Sequence, residues 1–110
     1  MEIEELLERY RQLADRYAPA KANREYIDEY KKTLLALLMK DSERTGVTSA
    51  AGQERDGRAR PEYVELLDGL KQAVFEEEKI RYHMKAVEWE IEIWRTKQAN
   101  ERAERRAYGA

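Results

Sequence analysis

The stretch AVEWEIEIWRT, residues 86–96, decides the fold because it fits both the pattern of a strand and the pattern of a helix. Its apolar residues at positions 87, 89, 91 and 93 alternate strictly with glutamates at 88, 90 and 92. Strict alternation of this kind is typical of a half-buried β-strand. The residues on both sides have a helical composition, so the periodicity over a longer range has to decide between the two structures.

A heptad pattern runs through this stretch without interruption, in alternating steps of three and four residues. We call this row the seam, and it consists of Tyr63, Leu66, Leu70, Ala73, Glu77, Ile80, Met84, Val87, Ile91, Trp94 and Gln98. Such spacing brings all these residues to one side of an α-helix and cannot arise in a strand. Glu77 is charged and must find a partner when it is buried, and Arg81 lies one turn away. A polar residue on a seam often fixes the register or the oligomeric state.

A second apolar row lies nearly opposite the seam, because a step of two residues turns a helix by about 200°. We call it the outer stripe, and its members are Phe75, Tyr82, Ala86, Trp89 and Ile93. A helix that is apolar on two sides needs two partners. One is the N-terminal helix, folded back as an antiparallel hairpin, and the other is a second copy of the chain in a homo-oligomer, most simply a dimer. In the monomeric alternative, the N-terminal helix breaks sharply at Pro19 and its two halves cover both sides.

The fold predicted from the whole pattern is all-α. It has two long helices in an antiparallel, coiled-coil-like hairpin, joined by a partly helical loop, and it dimerises into a helical bundle. Pro61 suits the first turn of the second long helix, and Gly46 suits a left-handed cap after the first. We therefore predict a single helical domain, 1–110, divided into a helix 2–44 with a kink or break at Pro19, a loop with a short helix 45–60, a long helix 61–106 and a frayed tail 107–110.

Composition narrows the class of protein. Charged residues make up 40% of the chain, but the formal net charge is only −2, which argues against binding of polyanions through bulk charge. There is no cysteine, hence neither a disulfide nor thiolate chemistry. The acidic N-terminus MEIEELLERY is unlike a signal peptide, and no apolar run approaches the roughly 20 residues of a membrane span. We expect a soluble, cytoplasmic protein without membrane contact.

No pattern typical of catalysis is present. A helical di-metal site uses a Glu-x-x-His motif, but the residue three positions before His83, the only histidine, is isoleucine. The glycines match no phosphate-binding fingerprint. We therefore predict a non-enzymatic protein with no catalytic residues, no metal and no cofactor. The enzymatic alternative that stays open is a composite site across a dimer.

Two groups of arginines are candidates for contact with single-stranded DNA. They are Arg95, Arg102 and Arg106 near the C-terminus, and Arg55, Arg58 and Arg60 in the loop. The first group shares one helix face, although cations near a helix C-terminus also stabilise its dipole. The acidic residues Glu54 and Asp56 reduce the field around the second group. Single-strand binding usually combines such cations with aromatic side chains on which bases stack.

Four phrases together resemble a group of small helical phage and prophage proteins. The phrases are REYIDEYKKTLLALLM (residues 24–39), TSAAGQERDGRARPEYVELLDGLKQAV (48–74), EEEKIRYHMKAVEWEIEIWRT (76–96) and QANERAERRA (98–107). The resemblance covers roughly residues 24–106, and its most specific part pairs RPEYVELLDGLKQAV with EIWRTKQAN. Genes of this group lie in early regions, near recombination, single-strand annealing and single-strand binding genes. The resemblance implies a phage origin, a place in the host cytoplasm and a neighbourhood of DNA metabolism. It carries no established activity, hence no catalytic residue.

The sequence thus predicts an accessory protein of phage DNA recombination or replication. It would act as an oligomeric interaction module that contacts a phage or host protein of DNA metabolism and single-stranded DNA. The alternative is a phage protein that inhibits or redirects a host protein without touching nucleic acid.

Overall fold

The structure, a computed structural model, describes residues 2–109 and is all-α, as the sequence predicts. It contains α1 (Ile3–Arg44), α2 (Ala50–Ala59) and α3 (Pro61–Ala107). Within residues 2–109 there is no β-strand, and the stretch 86–96 is helical throughout. The strand interpretation of the alternating residues is therefore wrong, and the heptad spacing predicts the structure correctly. Ala110, the last residue of the predicted frayed tail, lies outside the described residues, as does Met1.

Pro19 lies inside α1, which continues through it to Arg44. Proline has no backbone N–H, so the helical hydrogen bond to the carbonyl of Asp15 is missing. The remaining helical bonds maintain the helix on both sides. The break on which the monomeric alternative depends does not occur.

The end of α1 is defined by Gly46. Its φ of 111° lies in the region that disfavours residues with a Cβ atom. The N–H of Gly46 donates to the carbonyl of Glu43 at 3.1 Å, and the N–H of Val47 donates to the carbonyl of Ser42 at 2.9 Å. This pair of bonds is a Schellman motif, which satisfies the last carbonyls of the helix and turns the chain towards α2.

The connection between the long helices, predicted as a loop with a short helix, contains α2, a helix of 10 residues. Ser49 caps it, with its Oγ accepting a hydrogen bond from the N–H of Gly52 at 3.1 Å. Gly57 is buried against α1, where an added Cβ would lie 3.1 Å from Leu35 Cδ1 and 3.4 Å from Leu38 Cβ. A glycine that weakens the helix by propensity therefore allows α2 to approach α1 closely.

The chain forms two compact units. The terminal unit combines the residues up to Ala18 with those from Glu78 onwards, and the central unit is Pro19–Glu77. The buried apolar side chains of the terminal unit are Leu6, Ile80 and Val87, and those of the central unit are Leu38, Tyr63 and Ala73. Every seam residue, in the terminal unit and in the central unit, is buried or half-buried. The seam is therefore the packed face of α3.

Candidate functional site

The outer stripe is an exposed apolar face. In the terminal unit, Trp89 is 69% exposed, Tyr82 59% and Ile93 56%, whereas the seam residues Ile80 and Val87 are each 1% exposed. Ala86 is also exposed, and so is Phe75 in the central unit. A contiguous row of large apolar side chains in contact with water is typical of an interaction surface.

Residues of both signs border the outer stripe in the terminal unit. By helical position, His83 and Glu90 lie along one edge and Lys85 and Glu92 along the other. Lys85 Nζ also lies 5.7 Å from the centre of the Tyr82 ring, on which it makes a cation–π contact. The surface therefore has an apolar centre with alternating charges at its edges, an arrangement that suits a second helix.

Glu77, the charged residue of the seam, is buried and has a cross-helix partner. Arg24 donates to it through Nε at 2.6 Å and Nη2 at 3.1 Å. This hydrogen bonding raises the pKa of Arg24. The predicted partner, Arg81, instead binds Glu78, with Nη2 at 2.6 Å from Oε2. Arg24 is not evident from the apolar pattern of α1, because it is charged. Its spacing is the available signal, since it lies four residues after half-buried Ala20 and three before half-buried Ile27.

Arg60, a candidate nucleic-acid contact, takes part in a network inside the central unit. It donates to Asp41 at 2.7 Å, to Asp56 at 3.1 Å and to the hydroxyl of Ser42 at 3.2 Å. Ser42 is fully buried and donates to Asp56. The hydrogen bond from Ser42, followed by that from Arg60, lowers the pKa of Asp56. Contact of Arg60 with a phosphate would require these bonds, which hold α2 to α1, to be broken.

The other two arginines of this group differ in their surroundings. Arg58 donates to Glu54 through Nη2 at 2.8 Å, which raises the pKa of the guanidinium, and it lies 5.9 Å from the centre of the Tyr63 ring. Arg55 is exposed. The three arginines therefore do not form one concentrated cationic surface.

The C-terminal arginines lie where α3 is exposed. Arg95 donates to Glu92 at 2.8 Å, while Arg102 and Arg106 belong to a segment, residues 99–107, in which every residue is exposed. Arg95 and Arg102 line a shallow groove together with half-buried Trp94. Guanidinium groups can bind phosphates in a bidentate manner, and an indole edge can contact a base. Of the two groups of candidate arginines, this one has the better access to a ligand.

Between Glu2 and Gly109 no group of three or more His, Asp or Glu side chains could hold a metal ion. Over the same residues, no helix is long and apolar enough to cross a membrane. In comparisons with protein-family models, curated proteins and solved structures, the chain matches none of them.

Proposed function

We propose that this protein is a non-enzymatic phage accessory factor of DNA recombination or replication in the host cytoplasm. It acts as a helical module that associates with a second copy through the outer stripe. The observation that carries the proposal is the exposure of Trp89, Tyr82 and Ile93 on the side of α3 opposite the buried seam. Exposed apolar surface is costly in water, and its burial against another helix is the simplest use of this row.

The proposed module is an antiparallel hairpin. In the terminal unit, Tyr10 donates to Glu88 at 2.9 Å, and Arg9 lies 3.8 Å from Glu90, so a later residue of α1 meets an earlier residue of α3. In the central unit, Arg24 of α1 meets the end of the α3 segment at Glu77. These pairs support an antiparallel course of the two long helices within each unit.

Contact with single-stranded DNA is proposed for the groove that contains Trp94, Arg95 and Arg102, extended by Arg106. The test is fluorescence anisotropy of labelled single-stranded DNA at low and near-physiological salt. Binding through phosphates weakens steeply with salt because counterions are released. We expect charge reversal of the three arginines to Glu to abolish binding with the helical content unchanged.

A matched control reverses three exposed cations elsewhere, Arg11, Lys21 and Lys32, and so changes the net charge equally. If both triple variants lose affinity to the same extent, the groove has no special role. If the unchanged protein binds no DNA even at low salt, the DNA-contact part of the proposal is wrong.

A second candidate function, binding of a host protein without nucleic acid, is favoured by another surface. In the central unit, Tyr26 and Tyr30 stack with ring centres 6.1 Å apart and are exposed, as is Leu37 on the same helix. None of these three residues belongs to the outer stripe. A partner that resists nuclease treatment and is lost in a Tyr26→Glu variant would support this function.

A further inference from the structure

We infer that the second copy lies antiparallel along the outer stripe, with Trp89 of each copy against Ala86 of the other. The inference rests on the self-association proposed above and specifies its geometry. In the terminal unit, the stripe consists of Tyr82, Ala86, Trp89 and Ile93, at steps of four, three and four residues, so that one small side chain lies between two aromatic ones. Two helices pack at a constant separation when large residues face small ones. The antiparallel register achieves this match for Trp89, the largest side chain of the stripe, against Ala86, the smallest. It also places Tyr82 against Ile93, so no layer pairs two aromatic residues or two alanines.

The edge charges agree with the same register. In an antiparallel pair, residues on the same edge of the two stripes face each other. His83 then faces Glu90 of the second copy, and Lys85 faces Glu92 of the second copy. The twofold symmetry repeats both pairs, so four contacts surround the apolar centre. Two are ion pairs between Lys85 and Glu92, and two are hydrogen bonds between His83 and Glu90. Edge pairs of this kind set the orientation and the choice of partner in helix dimers.

The parallel register also gives favourable edge pairs, so the centre of the interface decides between them. A parallel pair would place Trp89 against Trp89 and, one layer away, Ala86 against Ala86. The two tryptophans need a larger separation between the helices than the two alanines do, so adjacent layers could not both pack well. The parallel pair would also stack Lys79 on Lys79, two like charges at the interface. In the antiparallel register, Lys79 lies beside Thr96 of the second copy.

The size of the surface indicates a weak dimer. From their exposed fractions, Tyr82, Trp89 and Ile93 offer roughly 280–460 Å² per copy, taking about 150–250 Å² for a whole side chain. A standard interface buries about 800 Å² per partner. The aliphatic parts of the edge side chains bury some of the remaining area. We expect a dissociation constant in the micromolar range, about 1–100 μM.

Site-directed cross-linking tests the orientation, because the chain has no native cysteine. Lys79 and Thr96 are both exposed. A Lys79→Cys copy mixed with a Thr96→Cys copy, in the presence of a short bis-maleimide, should give a mixed dimer in preference to either homodimer. The full chain is used, and sedimentation velocity measures self-association in parallel.

Three results would overturn the inference in different ways. Preferential cross-linking of Thr96→Cys to itself indicates a parallel dimer, which contradicts the orientation and leaves the proposed self-association intact. A dimer in sedimentation without cross-links in any mixture indicates a different surface. A monomer at all concentrations refutes the self-association itself.

A charge swap gives a second readout. Lys85→Glu and Glu92→Lys should each weaken the dimer about tenfold, because two symmetry-related pairs change from attraction to repulsion. The double variant should recover the affinity of the unchanged protein. In a parallel dimer, Lys85 would face Glu90 and Glu92 would face Lys97, so the double variant would be weaker than either single one.

Discussion

Two glycines of the central unit offer a matched test of how closely α2 approaches α1. Gly57 lies in α2 and Gly69 in α3, and alanine at either position gains about 0.8–1 kcal/mol of helix propensity. The surroundings of the two residues differ. A Cβ at Gly69 meets nothing within 4 Å, whereas a Cβ at Gly57 meets Leu35 Cδ1 at 3.1 Å and Leu38 Cβ at 3.4 Å. The same substitution should therefore have opposite effects.

The magnitudes follow from these distances. Gly69→Ala should stabilise the protein by about 0.8–1 kcal/mol, the full gain in propensity. At Gly57, overpacking costs about 1–3 kcal/mol, and the gain in propensity offsets part of it. The Leu38 Cβ at 3.4 Å is close to ordinary van der Waals contact, so the cost arises mainly at half-buried Leu35, whose methyl must move by a few tenths of an ångström. We expect a net loss of about 0–2 kcal/mol for Gly57→Ala, corresponding to a fall in Tm of up to roughly 9 °C.

Urea unfolding followed by circular dichroism measures both variants. The protein concentration must be held constant, because self-association would add to the apparent stability. If Gly57→Ala were stabilised as much as Gly69→Ala, the close approach of α2 to α1 would not exist in solution. A stabilised Gly69→Ala variant with a destabilised Gly57→Ala variant would support it.

Three further predictions concern burial, ion pairing and pH. In urea unfolding at concentrations low enough to keep the protein monomeric, Ile80→Ala should lower the free energy of unfolding by about 2–5 kcal/mol. Ile93→Ala should change it by less than about 0.5 kcal/mol, and in sedimentation it should weaken self-association. Arg24→Met should lower the urea midpoint, since it removes two hydrogen bonds to a buried carboxylate; an unchanged midpoint would mean that the contact contributes no stability. The pKa values of Asp41 and Asp56 lie below their ordinary value of 3.8, because both carboxylates accept hydrogen bonds in the folded state. The stability that they confer is therefore complete above about pH 4. It is lost as the pH falls through the lowered pKa values. A variant with Asn at both positions should lose less stability in acid, and an equal loss would refute this account.

The regular part of the fold could be predicted because it depends on local periodicity. The seam of α3 repeats every seven residues over several turns, and only a helix places such residues on one side. The same periodicity located the outer stripe, whose five members are exposed in the structure. For these elements, the apolar pattern and the backbone geometry agree at every position.

The interior polar contacts could not be predicted, because they join residues that are distant in sequence. Arg24 and Glu77 are 53 residues apart, whereas helical periodicity relates Glu77 only to residues of its own helix, such as Arg81. The length of α2 was also underestimated, since Gly52 and Gly57 lower its propensity, and tertiary contact with Leu35 and Leu38 offsets that loss. Similarly, the sequence predicts that Arg60 is available to a phosphate, because two of its partners, Asp41 and Ser42, lie in α1. In the structure it donates to these two residues and to Asp56.

The exposed end of α3 has a consequence for the evolution of the protein. Residues 99–107 are helical but exposed on all sides, so their order depends on the packed part of the helix that precedes them. The amide hydrogens there should exchange rapidly, since this end can unwind without opening either core. Substitutions in this segment escape the selection that preserves the core. The affinity of a ligand bound there, or its identity, can therefore diverge between relatives while the remainder of the fold stays the same.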